Sequence, residues 1–200
     1  MAELILHRNS GELHATLYGK SSYCVVLCPP HPIYGGNRKD SRLIAIANEL
    51  ANHSISTLSI DYYSYTGGTG EIEDTLFALG YMKGQLSSLG LLGYSYGAVI
   101  ASNAASKFHG LNGIVLISPL RKVNSLEIDL SSDCRKLIIY GTGDPFVIKD
   151  IDELYHLAKG EKQRLTLNTD HFYLGYERTV ATAVREFFCD AFQLSSKELR

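Results

Sequence analysis

The chain has 200 residues, enough for one domain with a continuous core and no disulfide staples. Its net charge of −2, with 45% hydrophobic and 20% charged residues, gives no electrostatic reason to expect nucleic acid or an anionic membrane as partner. No apolar run approaches a membrane span, and Met1-Ala2-Glu3-Leu4-Ile5-Leu6-His7 lacks the order of a secretory signal, so a cytoplasmic monomer or homodimer acting on a small molecule is expected.

Residues 3–8 and 12–18 read as two strands around the turn-forming Asn9-Ser10-Gly11, an antiparallel hairpin at the sheet edge. Beyond it, strand-like apolar runs at 23–28, 55–60, 89–92, 113–117, 136–140 and 163–167 alternate with helical patterns near 41–52, 72–85, 98–108, 148–158 and 177–192. This alternation predicts an α/β protein, a mostly parallel central sheet with helices on both faces. Residues 120–133 form the single long irregular insertion and read as a surface excursion rather than a lid. Cys24, Cys28, Cys134 and Cys189 are scattered, mostly within apolar segments, which suits reduced core thiols. Cys28-Pro29-Pro30-His31 has no second ligand pair at metal-binding spacing, so no metal is expected.

In such a sheet the ligand site lies at the C-terminal strand ends, where four segments stand out. Gly93-Tyr94-Ser95-Tyr96-Gly97 joins an apolar run, 89–92, to the helical stretch that opens at Ala98. Strand, sharp turn and helix, with small residues flanking a serine, is the pattern of a nucleophile elbow. A serine hydroxyl needs a base to take its proton, and that base works best when a carboxylate fixes its tautomer. Asp144, in Gly141-Thr142-Gly143-Asp144-Pro145, and His171, in Thr169-Asp170-His171-Phe172, each follow a predicted strand. Asp144 could instead initiate a turn or cap the next helix, and Asp170 is the rival carboxylate. His31, in His31-Pro32-Ile33-Tyr34-Gly35-Gly36, reads as a loop-packing histidine, a substrate contact or an alternative base.

These segments, with Gly68-Thr69-Gly70-Glu71-Ile72-Glu73-Asp74, Gly141-Thr142-Gly143-Asp144-Pro145-Phe146-Val147 and Asp170-His171-Phe172-Tyr173, resemble the α/β-hydrolase superfamily from end to end. The likeness is to small, lid-poor members similar to dienelactone hydrolases and to bacterial and archaeal hydrolases with a His-Pro-x-x-Gly-Gly loop. The resemblance implies an α/β-hydrolase fold over residues 1–200 without a large lid domain, and a Ser95, Asp144, His171 triad that needs no cofactor. It implies hydrolysis of small carboxylic esters or thioesters through an acyl-enzyme, with a peptidase or a non-catalytic binding module of the same fold as alternatives. The oxyanion hole is expected from the Tyr96 N–H and, by the match to the dienelactone-type loop, the Ile33 N–H. Tyr34 is the fallback, and Pro32 has no N–H to give. His31, Tyr34, Tyr62 and Tyr94 are the expected substrate contacts in an aromatic-walled pocket. The segment Ile60-Asp61-Tyr62-Tyr63-Ser64-Tyr65 lacks the Arg-Gly that many relatives carry there, which leaves that loop's substrate contacts open.

Overall fold

The computed structural model describes residues 1–8, 11–84 and 86–194. The main sheet contains β1 (Ala2–Arg8), β2 (Gly11–Tyr18), β3 (Tyr23–Cys28), β4 (Ser56–Ile60), β5 (Ser88–Tyr94) and β6 (Gly113–Ile117). A short ribbon of β7 (Lys122–Val123) and β8 (Leu126–Glu127) precedes the last two main strands, β9 (Arg135–Gly141) and β10 (Lys162–Leu167). The helices are α1 (Ser41–Ala51), α2 (Thr69–Lys83), α3 (Tyr96–Lys107), α4 (Ile151–Leu157) and α5 (Glu177–Ala191). Strand order is β1-β2-β4-β3-β5-β6-β9-β10, antiparallel for β1 with β2 and β2 with β4, and parallel for the rest.

The parallel strands are apolar throughout because both of their faces are covered. Alternate residues divide cleanly: Val26, Leu91, Leu116 and Ile138 pack toward α2, α3 and α4, whereas Leu27, Leu92, Val115 and Ile139 pack toward α1 and α5. Helix α1 buries Leu43, Ile46, Ala47 and Leu50, a single stripe at helical spacing, and starts where the Asp40 carboxylate accepts the Arg42 N–H at 3.0 Å. Helix α5 buries a like stripe of Val180, Val184, Phe187 and Phe188. Each such Leu, Ile, Val or Phe side chain stabilises the fold by about 1.5–3 kcal/mol through area removed from water. Helix α3 differs, being buried all round from Tyr96 to Ala105, which its alanines make possible by allowing close approach to the sheet and to α2.

Parallel register sets the site. Cys28 pairs with Gly93, Tyr94 with Ile117, Ile117 with Ile139 and Gly141 with Leu167, so the strand ends form one continuous rim. Departures from the expected bounds have local causes. Helix α2 starts at Thr69 rather than 72 because the Glu71 carboxylate turns back to the Gly68 N–H at 2.9 Å. Helix α4 starts at Ile151 rather than 148, since the preceding stretch closes turns, with the Asp150 N–H donating to Val147 O at 3.0 Å. The 120–133 insertion is structured: it contains the β7-β8 ribbon and is tied to α3 by the Asn103 side-chain amide donating to Glu127 O at 2.9 Å. The expected Asn9-Ser10 turn and the Gln85 end of the second helix lie outside the described residues. Among the described residues no helix is long and apolar enough to cross a membrane.

Candidate active site

Ser95 sits between β5 and α3 at φ 56, ψ −115, a left-handed conformation that costs a non-glycine residue about 1–3 kcal/mol and persists only where its surroundings impose it. The surroundings here are two close backbone approaches. A Cβ on Gly93 would lie 2.1 Å from Gly97 O, and one on Gly97 would lie 2.3 Å from Cys28 O. Two backbone hydrogen bonds fix the turn, Ser95 N–H to Ile117 O at 2.8 Å and Ala98 N–H to Ser95 O at 3.0 Å.

His171, on the loop after β10, places Nε2 2.9 Å from Ser95 Oγ and Nδ1 2.7 Å from Asp144 Oδ2. Asp144 follows β9 and is fully buried; its Oδ1 accepts the Phe146 N–H at 3.0 Å, and its Oδ2 also accepts the Ser118 hydroxyl at 2.7 Å. Burial works to raise this carboxyl, but the hydrogen bonds from His171, Ser118 and Phe146 outweigh it and hold the group below its ordinary value. An ionised Asp144 accepts only, so Nδ1 carries the imidazole proton and Nε2 is left to accept from Ser95. Asp170 stays outside this chain of bonds: it is exposed, and its Oδ1 accepts the Phe172 N–H at 2.8 Å. His31 is outside it as well, with Nδ1 facing the Ile33 N–H at 3.3 Å and its ring packed on Tyr96 at 4.5 Å. Burial lowers the His31 pKa, opposed by the charge of Glu71.

Ser95 opens on a cleft of about 540 Å³ whose walls include His31, Tyr34, Tyr94, Tyr96, Phe146 and Phe172. Tyr62 does not line it: the side chain packs behind Tyr96 at 6.1 Å and directs its hydroxyl to Pro29 O at 3.3 Å, because the 61–65 loop folds back against α2. The Ile33 side chain is turned to solvent, 61% exposed. The Tyr34 N–H is taken by His31 O at 3.1 Å, whereas the Tyr96 N–H stands in the first turn of α3, where a helix has no internal acceptor to offer.

The two tyrosines that flank Ser95 reach opposite faces of the sheet. Tyr94 donates to His171 O at 2.5 Å and accepts from Arg42 Nη1 at 2.8 Å, and Arg42 is held in turn by Asp40, Nε to Oδ1 at 2.8 Å. Tyr96 donates to Glu71 Oε1 at 2.8 Å. Glu71, buried at the start of α2, also accepts the Thr66 N–H at 3.0 Å and the Gly68 N–H at 2.9 Å. Burial acts to raise the Glu71 carboxyl, and these donors bring it below the usual carboxylate value. Arg42, Glu71, Phe146 and Phe172 were not singled out from the sequence. Phe146 and Phe172 are marked by their nearness to Asp144 and His171 and Glu71 by its place in the 68–74 segment, but Arg42 lies inside a helix and carries no local signal.

The strand order, the elbow at the end of β5 and the helices on both faces define the α/β-hydrolase fold without a lid domain. The chain superposes with a TM-score of 0.84 on a lid-less serine hydrolase from Xanthomonas campestris, at 17% identity over 98% of this chain and 96% of that one. An alpha-beta serine hydrolase homologue from Coxiella burnetii gives 0.81 at 19% identity, covering 93% and 96%. Est1E from Butyrivibrio proteoclasticus with bound ferulic acid gives 0.82 at 14% identity, covering 95% and 99%. In sequence, an uncharacterised protein of Rickettsia prowazekii (strain Madrid E) is 22% identical over 179 residues, 79% of this chain and 75% of that protein. No family model matches the chain.

Proposed function

We propose that the protein is a serine hydrolase that cleaves small carboxylic esters or thioesters through an acyl-enzyme on Ser95. The observation that carries this reading is the continuous chain Ser95 Oγ, His171, Asp144, with links of 2.9 and 2.7 Å, at a strained turn that opens on the cleft. His171 Nε2 takes the hydroxyl proton as Ser95 Oγ attacks the carbonyl carbon, and the carbonyl π pair moves to oxygen. The Tyr96 N–H receives that oxyanion, joined by the Ile33 N–H in exchange for its long contact with His31 Nδ1. His171 then returns the proton to the leaving alcohol or thiol, and a water repeats the sequence on the acyl carbon to release the acid.

The aromatic walls favour short acyl or compact aromatic esters, and the bound ferulic acid of Est1E is an aromatic acid of that size class. The free thiols of Cys24 and Cys28, buried and pushed up to about 12 by that burial, suit a reducing compartment such as the cytoplasm. Labelling with a fluorophosphonate probe and mapping of the modified residue tests the reading. Modification at Ser95, abolished in a folded Ser95→Ala variant, is expected; undiminished labelling of that variant overturns the assignment.

A further inference from the structure

Behind Asp144 lies a second, fully buried chain of hydroxyls. Ser118 follows β6 and donates through Oγ to Asp144 Oδ2 at 2.7 Å; Tyr173, two residues beyond His171, places its hydroxyl 2.8 Å from Ser118 Oγ. Since the Ser118 proton goes to the carboxylate, Tyr173 is the donor in the second link. Among the described residues six non-glycine positions hold positive φ, and three of them, Ser95, Ser118 at 46° and Tyr173 at 57°, meet in this one network. A core that needed only volume would place apolar side chains here without strain. Buried hydroxyls and left-handed backbone together mark positions held for their chemistry.

We propose that Ser118 and Tyr173 are positioning residues that hold Asp144 and, through it, set the basicity of His171. The proposal rests on the reading of Ser95, His171 and Asp144 given above. Its point is that Ser118 and His171 share one oxygen, Oδ2. Each donor to that oxygen disperses part of the charge that steadies the imidazolium. Without the Ser118 hydroxyl the carboxylate holds a protonated His171 more tightly, so the base loses its proton only at higher pH. The ionisable groups nearest the imidazole are Tyr94, stacked on it at 5.7 Å, and Asp170 on the same loop, with Arg42, Asp40 and, at the start of α5, Glu177 lying beyond Tyr94. The Ser118 and Tyr173 substitutions leave all of these in place.

The test is the pH dependence of kcat/KM for nitrophenyl acetate with the full chain, comparing wild type, Ser118→Ala and Tyr173→Phe. The acid limb should move to higher pH by about half a unit to one unit in Ser118→Ala, the size of one lost hydrogen bond. In Tyr173→Phe it should move less, in the same direction, with KM within about twofold of wild type in both. A lower melting temperature with an unmoved acid limb would show a packing role and overturn the proposal. If Ser118→Ala fails to fold, Tyr173→Phe keeps its ring and decides alone. Fluorophosphonate mapping in parallel separates the two claims: label on Ser95 with an unmoved limb sinks only the Ser118-Tyr173 proposal, whereas absence of that label removes the reading beneath it as well.

Discussion

Asp170 is the neighbour of His171 in sequence, yet the carboxylate that reaches the imidazole comes from Asp144, 27 positions earlier. Adjacent residues diverge where the chain turns: Asp170 is spent on its own loop, accepting the Phe172 N–H, while Asp144 is brought in by the pairing of β9 with β10. Asp144→Asn should lower kcat by about four orders of magnitude, the loss typical of a missing orienting carboxylate in a triad. Asp170→Asn should cost only a small factor. Steady-state kinetics on both variants checks this, and the reverse ranking would move the acid to Asp170. At this scale the sequence is most legible at the strand ends: Ser95 follows β5 directly, and Asp144 and His171 sit on the loops that leave β9 and β10. Ser118 also follows a strand, yet a lone serine before Pro119 looks like any turn. Tyr62 shows the opposite limit, since the direction of a side chain within a loop depends on what the loop packs against.

Elements were legible wherever pattern alone decides them. The β3 and β6 strands match their expected bounds because continuous apolar runs between turn residues leave no other choice. Helix starts were missed where a long-range or reciprocal contact sets them, as with Glu71 at α2. Helix α3 likewise begins at Tyr96, two residues before the first alanine, because the elbow feeds straight into it. That junction makes a sharp prediction. A methyl at position 97 would meet Cys28 O at 2.3 Å, and backbone cannot yield as a flexible side chain does. Gly97→Ala should therefore destabilise the protein by about 1–3 kcal/mol, the usual range for overpacking, and slow Ser95 labelling as α3 is pushed from β3. Urea denaturation with parallel labelling checks both effects; unchanged stability would show that β3 and α3 are less tightly opposed.

For the molecule as a whole, nearly every described residue belongs to the sheet, its helices or their short connections, and the 120–133 insertion is bound to α3 rather than spread over the cleft. Only Leu120 of that insertion lines the cleft. A long acyl chain would thus gain little burial, whereas a true lipid channel contributes about 0.8 kcal/mol for each methylene it covers. Across nitrophenyl esters from acetate to palmitate, kcat/KM is expected to flatten or fall. A steady rise into the long-chain members, with activation at an oil-water interface, would contradict an open, compact site.

Among the described residues the strand order also leaves the sheet with two open margins, β1 and β10, each a row of backbone donors and acceptors that another strand could copy. On β10 the chain answers with Lys162, Gln163 and Arg164 in succession, and Arg164 is drawn toward Asp152 at 2.8 Å. On β1 it sets Glu3, His7 and Arg8 among the apolar residues, two of them anchored elsewhere: Glu3 to Arg38 at 2.6 Å and Arg8 to Asp74 at 2.5 Å. A strand arriving at either margin would have to strip water from exposed polar groups such as Glu3, His7 and Arg164 before its first hydrogen bond formed. The same residues that finish the fold at its edges thus guard it against sheet-to-sheet aggregation.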